Sequence, residues 1–224
     1  MTSKLVPIAL AFTLCCGLAP AHADDAERYE VTVTNLTRGQ QFTPILVVSH
    51  KPGVKLFELG KPASTGLAIL AEEGNPAPLA AALAAMPGTG ETVSGNGLTN
   101  PGASTRLVIE ARRGFRQFSI AAMLIPTNDA FVAINAAALP RGDDTLALTA
   151  LAYDSGTERN DETCASIPGP LFAECGGSGG GAAPAGGEEG YVHIHAGIHG
   201  IGNFKPAARD WRNPVALVTV RRIH

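Results

Sequence analysis

"YEVTVTNLT", residues 29–37, sets Tyr29, Val31 and Val33 against Glu30, Thr32 and Thr34. Successive side chains leave a pleated strand on opposite sides, so this alternation predicts a strand with one buried face and one wet face. Comparable segments recur at "PILVVSH" (44–50), "TRLVIEA" (105–111), "FSIAAMLI" (118–125) and "AFVAIN" (130–135). Three more stand at "TLALTALAY" (145–153), "YVHIHAGI" (191–198) and "VALVTVRRI" (215–223). Turn residues separate nearly all of them. The spacing predicts a mainly β fold, an antiparallel β-sandwich of about eight strands.

Between the second and third of these segments lies a short helical excursion. "APLAAALAAM" (77–86) is preceded by Pro76 and ended by Pro87-Gly88, the punctuation of a helix. "STGLAILAEEG" (64–74) predicts a shorter helix, with Ser64 as its N-cap and Gly74 just past its end. "GGSGGGAAPAGGEEG" (176–190) reads as a flexible, low-complexity Gly-rich loop. No internal repeat is visible, and residues 24–224 are expected to form a single domain.

The first 23 residues are read as a leader. "MTSKLVPIALAFTLCCGLAPAHA" has an early Lys4, an apolar run, and a small-x-small ending at Ala21-His22-Ala23. That predicts a secretory signal peptide cleaved after Ala23, and a product exported to the periplasm or extracellular space. No later apolar stretch is long enough for a transmembrane segment. Beyond the leader only Cys164 and Cys175 remain, eleven positions apart. In an exported chain they are expected to pair as a disulfide. The formal net charge of −3 offers no footprint for nucleic acid.

Four segments, in order, carry a family resemblance: "LFELGKPASTGLAILAEEGNPAPL", "MLIPTNDAFVAIN", "LAYDSGTERNDE" and the closing "NPVALVTVRRI". They resemble the spondin domain of animal extracellular-matrix proteins and of exported bacterial proteins. Ala63-Ser64 stands where the family has its small-residue entry to an acidic helical segment. Pro126 to Phe131 and Asp154 to Glu158 match two family turns, and Val218 to Arg222 the final basic-ended strand. The resemblance spans nearly all of residues 29–223. The His-rich segment before the last strand and the Gly-rich loop depart from the animal pattern and are similar to the bacterial exported branch.

Two of these segments, "TNDAF" (127–131) and "YDSGTERNDE" (153–162), are carboxylate-bearing loops at strand ends. Calcium takes six to eight oxygen ligands at about 2.4 Å, which two neighbouring loops could supply. Asp129, Asp154 and Glu158 are the leading ligands, and the resemblance implies a calcium site at the same positions. Asn128, Asn160, Asp161 and Glu73 are weaker candidates. The competing reading is that Asn-Asp and Asp-Ser-Gly are ordinary turn formers bonded to their own backbone.

"GYVHIHAGIHG" (190–200) holds three of the six histidines. In an extended segment His193 and His195 share a face, with Val192 and Ile194 turned to the core. With His199 past Gly197, and with His50 if its strand is a neighbour, this spacing suits copper or zinc, a transition metal rather than calcium. The alternative is that these imidazoles form the solvent face of an edge strand.

"GGSGGG" (176–181) lacks the strand-to-helix context that a Gly-x-Ser-x-Gly elbow needs, and the sequence has no phosphate loop with Lys-Ser/Thr and no dinucleotide fingerprint after a first strand. The expected function is therefore a non-catalytic, calcium-binding interaction module for a surface, a polymer or another protein. The alternative is a periplasmic copper or zinc binder using His193, His195 and His199. A metal-dependent hydrolase, with Asp210 or Glu189 as acid or base, is a third reading that no spacing selects.

Overall fold

The structure, a computed structural model, describes residues 26–169, 172–177, 180–183 and 185–224. The leader at 1–23 lies outside the described residues. In β1 (Glu27–Asn35), Tyr29, Val31 and Val33 are buried, while Glu30, Thr32 and Thr34 are half-exposed. The alternation read from the sequence thus corresponds to an inner and an outer face.

The other strands are β2 (Gln41–Phe42), β3 (Leu46–His50), β4 (Thr89–Ser94), β5 (Ser104–Ala111) and β6 (Gln117–Ile125). They continue with β7 (Ala130–Ala138), β8 (Thr145–Asp154), β9 (His193–Ile194) and β10 (Ala216–Ile223). Neighbours pair antiparallel in the order β4-β3-β6-β7-β8-β10-β1-β5, with β2 on β6 and β9 on β8. The ends of this order approach each other. Ser49 Oγ of β3 donates to Glu110 O of β5 at 2.7 Å, and Glu110 N donates to Glu91 Oε2 of β4 at 2.5 Å. The sandwich expected from the sequence is therefore a single antiparallel sheet curled on itself and nearly closed into a barrel.

One core fills the curl, with Val31, Val33, Phe42, Ile120, Trp211 and Val218 among its members. A second lies outside it, where α1 (Thr65–Glu73) and α2 (Ala77–Ala84) cover Leu46, Val48 and Phe131. Ser64 caps α1 by accepting from Leu67 N at 3.3 Å, and Gly74 ends it with φ 68°. Leu67, Leu70, Leu79 and Leu83 are buried here, each contributing roughly 1.5–3 kcal/mol of transfer free energy. Gly66 sets the helix spacing, since a Cβ there would lie 2.9 Å from Leu79 Cα.

Two strands escaped the alternation rule. β4, "TGETVS", is a polar stretch with no buried residue, and β2 has two residues. A third is shorter than expected: only His193–Ile194 of 191–198 pairs as strand. Because antiparallel neighbours reverse direction, the β6–β7 turn and the loop leaving β8 emerge at the same end of the barrel. Ala130 pairs with Asp154 across that end.

Candidate metal centre

Asp129 enters the site from the tight turn before β7, and Asp154 closes β8. Asp129 Oδ2 accepts from Ser155 Oγ at 2.9 Å, Thr157 N at 2.8 Å and Glu158 N at 3.0 Å. The carboxylate thereby templates the Ser155–Glu158 turn. Gly156 permits that turn, with φ 67° and the Tyr191 carbonyl 2.3 Å from where a Cβ would stand. Asp129 Oδ1 is buried with no partner among the described residues, and so is Glu158 Oε2. Glu158 Oε1 accepts from Ala183 N at 3.1 Å, which lays part of the Gly-rich loop over the site.

Four carboxyls here are held above their ordinary range. Burial raises Asp129, and the neighbouring Asp154 charge adds to it. Burial likewise raises Asp154 and Glu72, and pushes Glu158 up to about 7. No Lys or Arg side chain forms a salt bridge with any of the four among the described residues. Buried carboxylates that lack cationic partners carry a desolvation cost of several kcal/mol; hydrogen bonds offset part of it here, and a bound cation or protonation would offset more.

The weaker acidic candidates separate cleanly. Asn160 turns its amide nitrogen to Asp154 Oδ2 at 2.7 Å, so this contact is a hydrogen bond, not an oxygen offered to an ion. Asp161 is occupied by Thr163 N, Thr163 Oγ1, Asn128 Nδ2 and Ser166 Oγ. These bonds outweigh its desolvation and hold its carboxyl below the usual range. Asn128 accepts from Glu162 N at 3.2 Å. Glu73 is exposed, and the helix turns its neighbour Glu72 toward Thr157 and Asp129 instead. At 100° per residue the two glutamates flank the buried stripe of α1 on opposite sides.

The histidine segment runs along β8. His193 pairs in register with Asp154, its Nε2 3.8 Å from Asp154 Oδ1, and His195 Nε2 lies 3.7 Å from Asp154 Oδ2. Both imidazoles turn to one carboxylate, as alternation requires. The expected polarity of the segment is wrong in one respect: Ile194 is exposed, while His195 is buried against Trp211 with ring centroids 5.0 Å apart. The buried Asp154 draws the imidazoles inward, leaving Ile194 the outer side.

The two rings differ in proton placement. His193 Nδ1 lies 3.1 Å from Ile194 O, a carbonyl that can only accept, so Nδ1 donates there and Nε2 faces Asp154. His195 Nδ1 accepts from Gly197 N at 2.9 Å, so its proton sits on Nε2, turned toward Asp154. Burial lowers its pKa to about 4, which keeps the ring neutral. His199 is exposed and reaches the cluster only through its backbone. Glu162, buried and with φ 55°, accepts from His199 N, Gly200 N and Ile201 N at 2.5, 2.7 and 3.0 Å. His50 is excluded by topology. It pairs with Gln117 at the far end of β6, with Nδ1 on Lys51 O and Nε2 on Ser119 Oγ.

Among the described residues, the group of three that brings ligand atoms within 4.8 Å of one another is Asp154, Glu189 and His193. Asp129, Asp154 and Glu158 do not form such a group. Sequence reasoning missed Glu189 as a ligand, Glu72 and Glu162; only the register of β9 on β8 brings Glu189 beside Asp154.

Cys164 and Cys175 form a disulfide with Cα atoms 5.4 Å apart. Among the described residues no helix is long and apolar enough to cross a membrane. The family profile described as Spondin_N matches residues 32–166, which takes in the β6–β7 turn, the β8 loop, α1 and α2 but stops before the histidine segment. No curated protein matches the chain.

Proposed function

The chain belongs to the spondin N-terminal domain family, and from that premise we propose that it is an exported, non-catalytic interaction module stabilised by calcium at the acidic end of its barrel. The observation that carries this reading is the pair of buried carboxylate oxygens without a partner among the described residues, Asp129 Oδ1 and Glu158 Oε2, neither carboxylate being paired with a Lys or Arg there. The donors are oxygens, the chemistry of a hard cation. Two oxygens bound to one calcium lie at most about 4.8 Å apart, twice the metal–oxygen distance. Calcium would therefore draw Asp129, Asp154 and Glu158 together, offsetting the mutual repulsion that spreads them. The disulfide supports export, since such bonds persist in oxidising compartments. Calorimetric titration of the chelator-treated protein with calcium tests the reading. Binding lost in Asp129→Asn supports it, and no heat from the wild-type protein would reject it.

A second reading, a copper or zinc centre, is favoured by the Asp154, Glu189 and His193 group. The Nδ1–H of His193 is anchored on a backbone carbonyl, the usual arrangement behind a metal-ligating imidazole. In this reading His193 is the ligand, while His195, its Nε2 3.7 Å from Asp154 Oδ2, stands behind the carboxylate. Zinc titrations should then fail in His193→Ala and persist in His199→Ala.

A further inference from the structure

At the end of the barrel opposite the acidic loops, the β5–β6 and β7–β8 hairpins enclose a cavity of about 510 Å³. The nine residues of β6 separate it from the acidic turn by roughly 26–30 Å at about 3.3 Å each. Its wall carries Arg112, Arg113, Arg116 and Arg141, all exposed. Among the described residues none of these guanidinium groups makes a hydrogen bond or a salt bridge. The one acid in the wall, Glu27, accepts from Arg222 Nη1 at 2.8 Å and from the Tyr29 hydroxyl at 2.6 Å, and of the four arginines only Arg116 comes within its electrostatic reach. Phe115 and Leu139 supply apolar surface between the arginines, and Lys51 Nζ stands 5.2 Å from the Phe115 ring centre.

The chain as a whole is acidic, so a local set of four arginines without hydrogen bonds or salt bridges among the described residues is not the by-product of a basic surface. Guanidinium forks match carboxylate, sulfate and phosphate oxygens in pairs, and an aromatic face suits the C–H side of a sugar ring. A flat anionic membrane needs no cavity, whereas a discrete ring bearing oxyanions fills one of this size. We propose that this cavity binds acidic sugar residues of an extracellular polysaccharide through their sulfate or carboxylate groups. The proposal names the ligand of the interaction module put forward above and rests on that reading, but not on calcium at the far end.

The test uses the full secreted chain and two probes, a size-defined heparin hexasaccharide and a galacturonate hexamer, with maltohexaose as the neutral control. Calorimetry in chelator, at low and at physiological salt, should give binding of at least one acidic probe and none of maltohexaose. The affinity should fall as salt rises, because the arginines are exposed. Arg116→Ala and Arg141→Ala, one from each hairpin, should each weaken binding about tenfold or more, as expected for a charge-assisted hydrogen bond. Their melting temperatures and calcium titrations should match the wild-type chain. The two acidic probes distinguish sulfate from carboxylate recognition. Failure of both, or unchanged affinity in both arginine variants, would overturn the proposal. So would pelleting with phosphatidylserine vesicles in the absence of oligosaccharide binding, which would assign the arginines to a lipid surface. Calcium heats on the same preparations show separately whether the acidic end holds.

Discussion

At Asp129 one carboxylate oxygen takes three hydrogen bonds at 3.0 Å or less, while the other takes none among the described residues. That asymmetry divides the residue between two tasks, shaping the Ser155–Glu158 turn and facing the rest of the acidic cluster. Asp129→Asn keeps the shape but replaces an oxygen by an amide that cannot accept, so both tasks suffer. If calcium binds at about 100 times its dissociation constant, mass action adds roughly 2.7 kcal/mol to stability. For a chain of this size that is a rise in melting temperature of about 5–10 °C. Asp129→Asn and Asp154→Asn should each remove most of it; an equal rise in both variants would refute these ligands. The ion-free protein carries a pH signature of its own. Glu158 titrates near 7 when folded, against 4.5 ordinarily, so the folded state holds that proton more tightly. Stability then falls as pH rises through this window. His195, lowered from 6.5 to about 4, contributes the opposite slope, but only below pH 6.5. In chelator, melting temperature should therefore drop between pH 6.5 and 8, and calcium should abolish the drop. A flat profile in chelator would contradict the burial of Glu158.

β9 is two residues long, and its position depends less on its ladder than on the loop at 199–203. Glu162 gathers three consecutive N–H groups of the 199–201 segment, and Asn203 N donates to Glu162 O at 2.7 Å. Glu162→Gln replaces one acceptor oxygen by a donor facing other donors, at a cost of about 1–3 kcal/mol. Amide exchange at His199 to Ile201 should accelerate by tenfold or more, with β1 and β10 unchanged; equal protection would show that the clamp is incidental. Here the sequence was partly legible. Alternation in "YEVTVTNLT" read correctly because β1 has one wet face, and the Ser64 and Gly74 caps read correctly because they are local. Alternation misled at Ile194, where a buried carboxylate on the adjacent strand outweighed the pull of an apolar side chain to the core. β4 was invisible because an edge strand with no buried residue carries no alternation. Glu162 escaped notice because its partners lie on a loop that only tertiary contacts bring near, and Glu189 was not read as a metal ligand because Asp154 and His193, on β8 and β9, come beside it only in the folded sheet.

The barrel is closed by pairings that no local signal announces: β10 enters between β8 and β1, joining the last residues of the chain to the first strand. The matched family region stops at residue 166, so the strand that completes the sheet and the cysteine that completes the disulfide lie beyond it. Cys164 comes directly after the loop that carries Glu158 and Glu162, and both cysteines pack against the main core beside buried Ile167 and Phe172. Closing a loop of this length contributes roughly 3 kcal/mol in the chain-entropy treatment. Cys164→Ser with Cys175→Ser should therefore lower the melting temperature by about 6–12 °C in calcium-free buffer. The two effects should also be coupled. Freed from its tether, the loop must be ordered by the ion itself, so calcium should bind the double variant more weakly than the native chain. Calorimetry on both proteins decides this: equal calcium affinity would mean that the acidic end is preorganised by Asp129 alone, and that the disulfide stabilises the barrel without serving the site.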